Sequence, residues 1–170
     1  MSRSANFPIG SNPAQFTKGN GNDGVIVSLS PTAASLFGGT FLGGNNEDRI
    51  SNLSISSTNE IVVIGSTSSP NFPLQQPMYP TYNGGLSDAF ITRYNQNLST
   101  VLFSTYFGGT NDDNGNTISF DSQNNIIFGG TTNSNNIPTL NEIYKNNRGG
   151  NDVFLAKILP NRTLDFSTYI

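Results

Sequence analysis

The sequence predicts an all-β fold made of repeated four-stranded antiparallel sheets with negligible helix. Three observations carry this expectation. An internal echo of 65 residues runs through the 170-residue chain. Apolar residues alternate or form short runs, and no stretch keeps the i, i+3, i+4, i+7 spacing of an amphipathic helix over three turns. Gly (18), Pro (9) and Asn (25) are abundant while charged residues make up only 11%, the composition of a chain that turns often.

The echo is read from landmarks. Asn6-Phe7-Pro8 recurs as Asn71-Phe72-Pro73 and again as Asn136-Ile137-Pro138, two equal steps of 65 residues. Gly43-Gly44 matches Gly108-Gly109, Asp48 matches Asp113, Ile61-Val62-Val63-Ile64-Gly65 matches Ile126-Ile127-Phe128-Gly129-Gly130, and Tyr79 matches Tyr144. The phase drifts by one or two residues in the last copy, where Asp23, Asp88 and Asp152 head equivalent segments and Tyr106 is echoed by Tyr169. Four antiparallel strands in such a repeat read as one blade of a β-propeller, because each small twisted sheet must bury both faces and does so against its neighbours.

Taken in chain order, an outer strand pair is expected at roughly Val25–Leu29 and Ser35–Leu42, then the buried-type run Ile61–Gly65 in the next copy. Ala89–Tyr94 and Thr100–Phe107 follow, then Asn116–Asp121, with Ile118 and Phe120 on one face, and Asn125–Thr131. Asp121-Ser-Gln-Asn-Asn125 suits a hairpin in which the aspartate accepts the amide two residues on, and Leu159-Pro-Asn161 has similar turn residues. The Gly-Gly pairs fit blade-to-blade turns that need positive φ and close backbone approach, flanked by Phe41, Tyr106, Phe107 and Tyr169 as packing. The organisation expected is one propeller repeat region over 1–170, with a partial blade at 1–44 and blades at 45–107 and 108–170, about 2.6 repeats in 170 residues.

Ser104-Thr-Tyr-Phe-Gly-Gly109 with Asp112-Asp113, Ile118-Ser-Phe-Asp121 with Asn125, Ile127-Phe-Gly-Gly-Thr131-Thr132, Ile137-Pro138 and Gly149-Gly-Asn-Asp-Val-Phe-Leu-Ala-Lys-Ile-Leu-Pro160 resemble, element by element, the SBBP repeat of seven-bladed β-propellers. The first copy is looser, with Gly38-Gly39-Thr-Phe41-Leu42 in place of the Ser-Thr-Tyr-Phe run and no glycine at the Asn59-Glu60 hairpin tip. The resemblance implies a propeller fold found in secreted or surface bacterial proteins, and no shared catalytic residues.

Composition excludes much chemistry. With no Cys and no His, disulfide frameworks, thiolate nucleophiles, imidazole-based triads and zinc or haem ligation through those side chains are out. Net charge is −3, and the eight basic residues are scattered, so no nucleic-acid stripe exists. The longest apolar run is far short of a membrane-spanning helix, and the Met-Ser-Arg-Ser-Ala start has no apolar signal region, so a soluble chain without membrane insertion is expected.

The acidic stretch Asn111-Asp112-Asp113-Asn114-Gly115 offers oxygen ligands beside a glycine, which makes Asp112 and Asp113 a calcium candidate. Turn and cap chemistry is the favoured reading, because the matching stretch places Arg49 where Asn114 stands and neither copy has the spacing of a calcium loop. No cofactor is expected otherwise. Asp23, Asp88 and Asp152 recur at one place before a strand, which favours structural capping over a converging catalytic pair.

The copies differ most in the connections Leu74–Gly85 and Thr139–Gly150. Loops on one face of a repeat scaffold are where recognition is usually placed, and Tyr with Asn suits polar ligands. Tyr79, Tyr82, Asn83, Tyr144, Asn147 and Arg148 are therefore the candidate binding residues. The function expected is a non-catalytic propeller module for recognition and assembly at an extracellular, cell or virion surface, with a protein partner or self-association. A structural subunit that self-associates into a ring, fibre or shell, and a lectin-like glycan binder, are the alternatives.

Overall fold

The computed structural model describes Ser2 and residues 4–170. Among them are ten strands and no helix. A two-stranded pair, β1 (Gly24–Leu29) and β2 (Leu36–Leu42), precedes two four-stranded antiparallel sheets. The first sheet runs β3 (Asp48–Ile55), β4 (Ile61–Thr67), β5 (Asp88–Tyr94), β6 (Val101–Phe107). The second repeats it as β7 (Asp113–Phe120), β8 (Ile126–Thr132), β9 (Asp152–Ile158), β10 (Leu164–Tyr169). Each is a simple meander, so the molecule is a run of propeller-type blades: a partial one and two whole ones.

Five hairpins close these sheets, and each tip holds one residue in the left-handed region: Ala33, Asn59, Leu98, Asn124 and Arg162, with φ between 54° and 68°. Asn supports that conformation at two of them. At Asp121 the turn is secured as its residues suggest, Oδ1 accepting the amide of Gln123 at 2.9 Å.

The core lies between blades. Val62, Ile64, Ala89, Ile91, Phe103 and Phe107 of the first whole blade pack on Ile118, Ile126, Phe128, Phe154, Ala156, Ile158 and Tyr169 of the second. The opposite face of the first blade, Ile61, Val63, Phe90, Tyr94 and Tyr106, meets Ile26 and Leu42 of the partial blade. A strand covered on both faces has no solvent side, so β4 reads Ile-Val-Val-Ile without alternation.

Outer edges are covered rather than left as open templates. The long β4–β5 and β8–β9 connections wrap around their own blades, pairing Gln75 with Ser104, Leu140 with Ser167 and Tyr144 with Tyr169. The segment before β1 does the same for β2, where Gln15 takes its amide to the Thr40 hydroxyl at 2.8 Å.

Two expectations are corrected. The inner strand of the second blade begins at Asp113, three residues before the expected Asn116, because Asp113–Gly115 pair with Thr132–Gly130 ahead of a bulge at Gly115/Thr117. The acidic stretch looks like a loop in sequence, yet its backbone is already in the ladder. The Gly43-Gly44 and Gly108-Gly109 pairs do not have positive φ; their need for glycine is close approach. A side chain on Gly43 would begin 2.6 Å from the carboxyl of Asp23 and 2.6 Å from Asp48 Oδ2.

Gly115 is likewise a hole filled from the neighbouring blade, its missing Cβ lying 2.3 Å from Ile64 Cγ1. Gly115→Ala should destabilise the fold by about 1–3 kcal/mol through overpacking. Combining it with Ile64→Ala should recover part of that loss, a coupling to be read from a double-mutant cycle of denaturant midpoints.

Candidate functional site

Two repeated features deserve a chemical reading: the acids buried between blades and the wrapping connections. Asp48 opens the first strand of one blade and Asp113 the first strand of the next, and both are fully buried. Asp113 Oδ2 accepts the Gly109 amide at 2.6 Å and the Ser134 hydroxyl at 2.8 Å, while its Oδ1 has no partner. Asp48 Oδ2 repeats the pair with Gly44 at 2.7 Å and Ser69 at 2.9 Å, and its Oδ1 accepts from Thr67 as well. These donors offset part of the cost of burying a carboxylate.

Across the junction stands a second acid. Asp88, at the head of β5, and Asp23, just before β1, are also fully buried. Asp88 Oδ1 and Asp113 Oδ2 lie 3.0 and 2.8 Å from the single point where a Gly108 side chain would start, and Asp23 Oδ1 and Asp48 Oδ2 lie 3.0 and 2.6 Å from the same point on Gly43. The Oδ2 of each first acid is held, Asp88 by the Asn83 amide at 2.7 Å and Asp23 by Gly19 at 3.0 Å. The Oδ1 of each has no partner. Burial raises all four carboxyls, against their hydrogen bonds. Asp88 is pushed up to about 7, by desolvation first, opposed by the Asn83 amide and reinforced by the Asp113 charge.

Sequence reasoning treated each acid series as separate caps. Its overlooked signal is a constant separation of 25 residues, Asp23 to Asp48 and Asp88 to Asp113. The Asp112–Asp113 candidate does not act as one unit: Asp112 Oδ1 accepts the Leu86 amide at 2.5 Å, while Asp113 turns inward. Among the described residues no three acidic groups converge as a metal set.

The candidate binding residues divide into two groups. Asn83 clamps the junction, its side chain reaching the Gly108 carbonyl at 3.2 Å. Asn147 donates to the Thr132, Ser134 and Gly150 carbonyls, each at 3.3 Å. Tyr79 packs edge-on to Phe107 with ring centroids 5.9 Å apart, and Tyr82 packs similarly on Tyr106 at 6.0 Å while donating to the Gly85 carbonyl. Tyr144 is instead exposed, with the Arg148 guanidinium 3.5 Å over its ring. The recurring Asn-Phe-Pro and Asn-Ile-Pro turns are tied down by phenols, Tyr106 donating to Ser69 and accepting from Phe72, and Tyr169 doing so for Ser134 and Ile137.

A cleft of about 460 Å³ opens between the other ends of the two whole blades. Its two guanidiniums are engaged, Arg93 by Glu60 and Arg162 by the Gln76 side chain.

Residues 102–138 match the family model of the Beta-propeller repeat, SBBP. The matched span runs from Leu102 in β6 to Pro138 and contains Gly108-Gly109, Asp113, Ser134 and Asn136, one side of the acid junction; Asp88 and Asn83 lie outside it. No curated protein matches the chain.

An acid whose carboxyl is raised on folding binds its proton more tightly in the native state. The stability this contributes is complete below the unfolded value near 3.8 and is lost as pH rises through about 7. Asp88→Asn, which mimics the protonated form, should gain stability relative to the parent as pH goes from 4 to 8. Thermal melts of both proteins across that range check the sign.

Proposed function

We propose that the chain, which carries an SBBP-type beta-propeller repeat, is a non-catalytic module for protein recognition and assembly at an extracellular, cell or virion surface. The supporting observation is how the polar groups are used. The four facing acids are fully buried in the blade junctions, and Asn83 and Asn147 are bonded to backbone carbonyls around them. The second blade exposes an apolar and aromatic set, Ile143, Tyr144, Val153, Leu155 and Ile170, with Arg148 exposed beside Tyr144. Exposed apolar clusters of this kind mark association sites, and the sequence resemblance supports the surface location.

A structural subunit that self-associates is the second reading. It is favoured by one observation, that among the described residues β1 is in a sheet with β2 alone, apart from a Ser2–Asp23 bridge just before it, and an open strand edge is a template for another chain. The glycan-binding reading has less support, because Arg148 already occupies the face of Tyr144 on which a sugar would stack.

A photo-crosslinking residue in place of Tyr144, introduced in the producing cell, should give a discrete protein adduct, whereas the same residue in place of Asn59 at a hairpin tip should not. Equal labelling from both positions, or none from Tyr144, would overturn the assignment.

A further inference from the structure

The hairpin ends of the two blade junctions differ in two residues. At the junction with the partial blade, Tyr94 and Leu98 are at most 1% exposed, and the space beside them is divided into two hollows of about 150 and 270 Å³, both lined by Phe37. In the second blade Ile158 pairs with Ile126 as Tyr94 pairs with Ile61. Arg162 holds the left-handed hairpin tip that Leu98 holds, with φ 68° against 59°. Without that phenol ring and that leucine, the junction between the whole blades has one continuous cleft of about 460 Å³. Copies of a repeat share the residues that build the fold, so a cleft formed where they differ is free for recognition.

Its charge is unbalanced. Arg93 lies against Glu60, the guanidinium Nε donating to the carboxylate at 3.1 Å, and the two charges cancel. Arg162 is bonded to the neutral Gln76 side chain, and it takes no part in the ion pairs among the described residues.

A backbone acceptor is left over beside it. Leu102 sits in a bulge of β6 without a ladder partner, as Asp165 does in β10. In the second blade the Asn141 side chain donates to the Asp165 carbonyl at 2.8 Å. Gln76 stands where Asn141 does, with φ 46° against 49°, but its side chain accepts from Arg162 instead. The Leu102 carbonyl at the cleft wall therefore lacks the donor that its equivalent has.

We propose that this cleft binds a peptide C-terminus ending in an apolar residue. Arg162 receives the terminal carboxylate in place of Gln76, the Leu102 carbonyl accepts the amide of the last residue, and the apolar side chain lies on Val101, Leu159 and Pro160. A single carboxylate suits the one uncompensated guanidinium, whereas a phosphate dianion would face Glu60 with too few donors. Tyr144 is not part of this site, so the proposal stands independently of the surface described above.

The test titrates the full chain with the acetylated tripeptide Ala-Ala-Leu and follows NMR shifts of amides and guanidiniums. Saturation at millimolar concentration or below is expected, with the shifts gathered at Leu102, Leu159 and Arg162. The same tripeptide with its carboxylate converted to an amide should bind about tenfold more weakly, or worse, for want of the charge-assisted bonds. Arg162→Leu, which installs the residue of the other junction, should weaken binding as much while the thermal melt stays cooperative, and Arg162→Gln reads the loss of charge at similar length. Equal binding of the amidated peptide, binding retained in both Arg162 variants, or no saturable shift at the cleft overturns the proposal. N-acetyl-leucine that binds as tightly as the tripeptide assigns the cleft to a free acylated amino acid and overturns the peptide.

Discussion

Each blade junction is organised around a fully buried carboxylate with no cationic side chain bonded to it. Taking such a group out of water costs several kcal/mol unless hydrogen bonds replace its hydration; a loop amide and a serine do so at both Asp48 and Asp113, and a threonine adds a third donor at Asp48. The rest of the repeat's signature is arranged around that requirement. The first glycine of each Gly-Gly pair leaves room for the two acids, and the second leaves room for the Ser-x-Asn turn. Asn71 and Asn136 hold the loop amides of Asn45 and Thr110 at 2.9 and 3.0 Å, and the Tyr106 and Tyr169 phenols fix the turn that carries them.

This arrangement makes the module directional. Every junction joins an acid at the head of a third strand to an acid at the head of the next blade's first strand, with apolar knobs and glycine holes alongside. Neither half satisfies itself, so blades are stabilised by neighbours rather than alone, as in other quasi-one-dimensional repeats.

The same economy limits chemistry. Polar side chains that a sequence reader would pick for a site, such as Asn83, Asn147 and Asp113, are spent on backbone groups that would otherwise be buried without partners. The exposed surface of the second blade includes an apolar and aromatic set around Tyr144, with Arg148 beside it.

The 65-residue echo, the strand alternation and the absence of helical spacing determined by themselves that the protein is built of antiparallel sheets, because those signals are local: period, turn residues and burial type are written along the chain. Strand positions for the outer pair and for Ala89–Tyr94 were legible to within about a residue for that reason. Tertiary structure alone decided that Asp88 faces Asp113, that Tyr79 is packed while Tyr144 is exposed, and that Gly149-Gly150 meet nothing. Residues of one repeat type look identical in sequence, and what distinguishes them is whether another blade lies on top, a property of the neighbour and not of the residue.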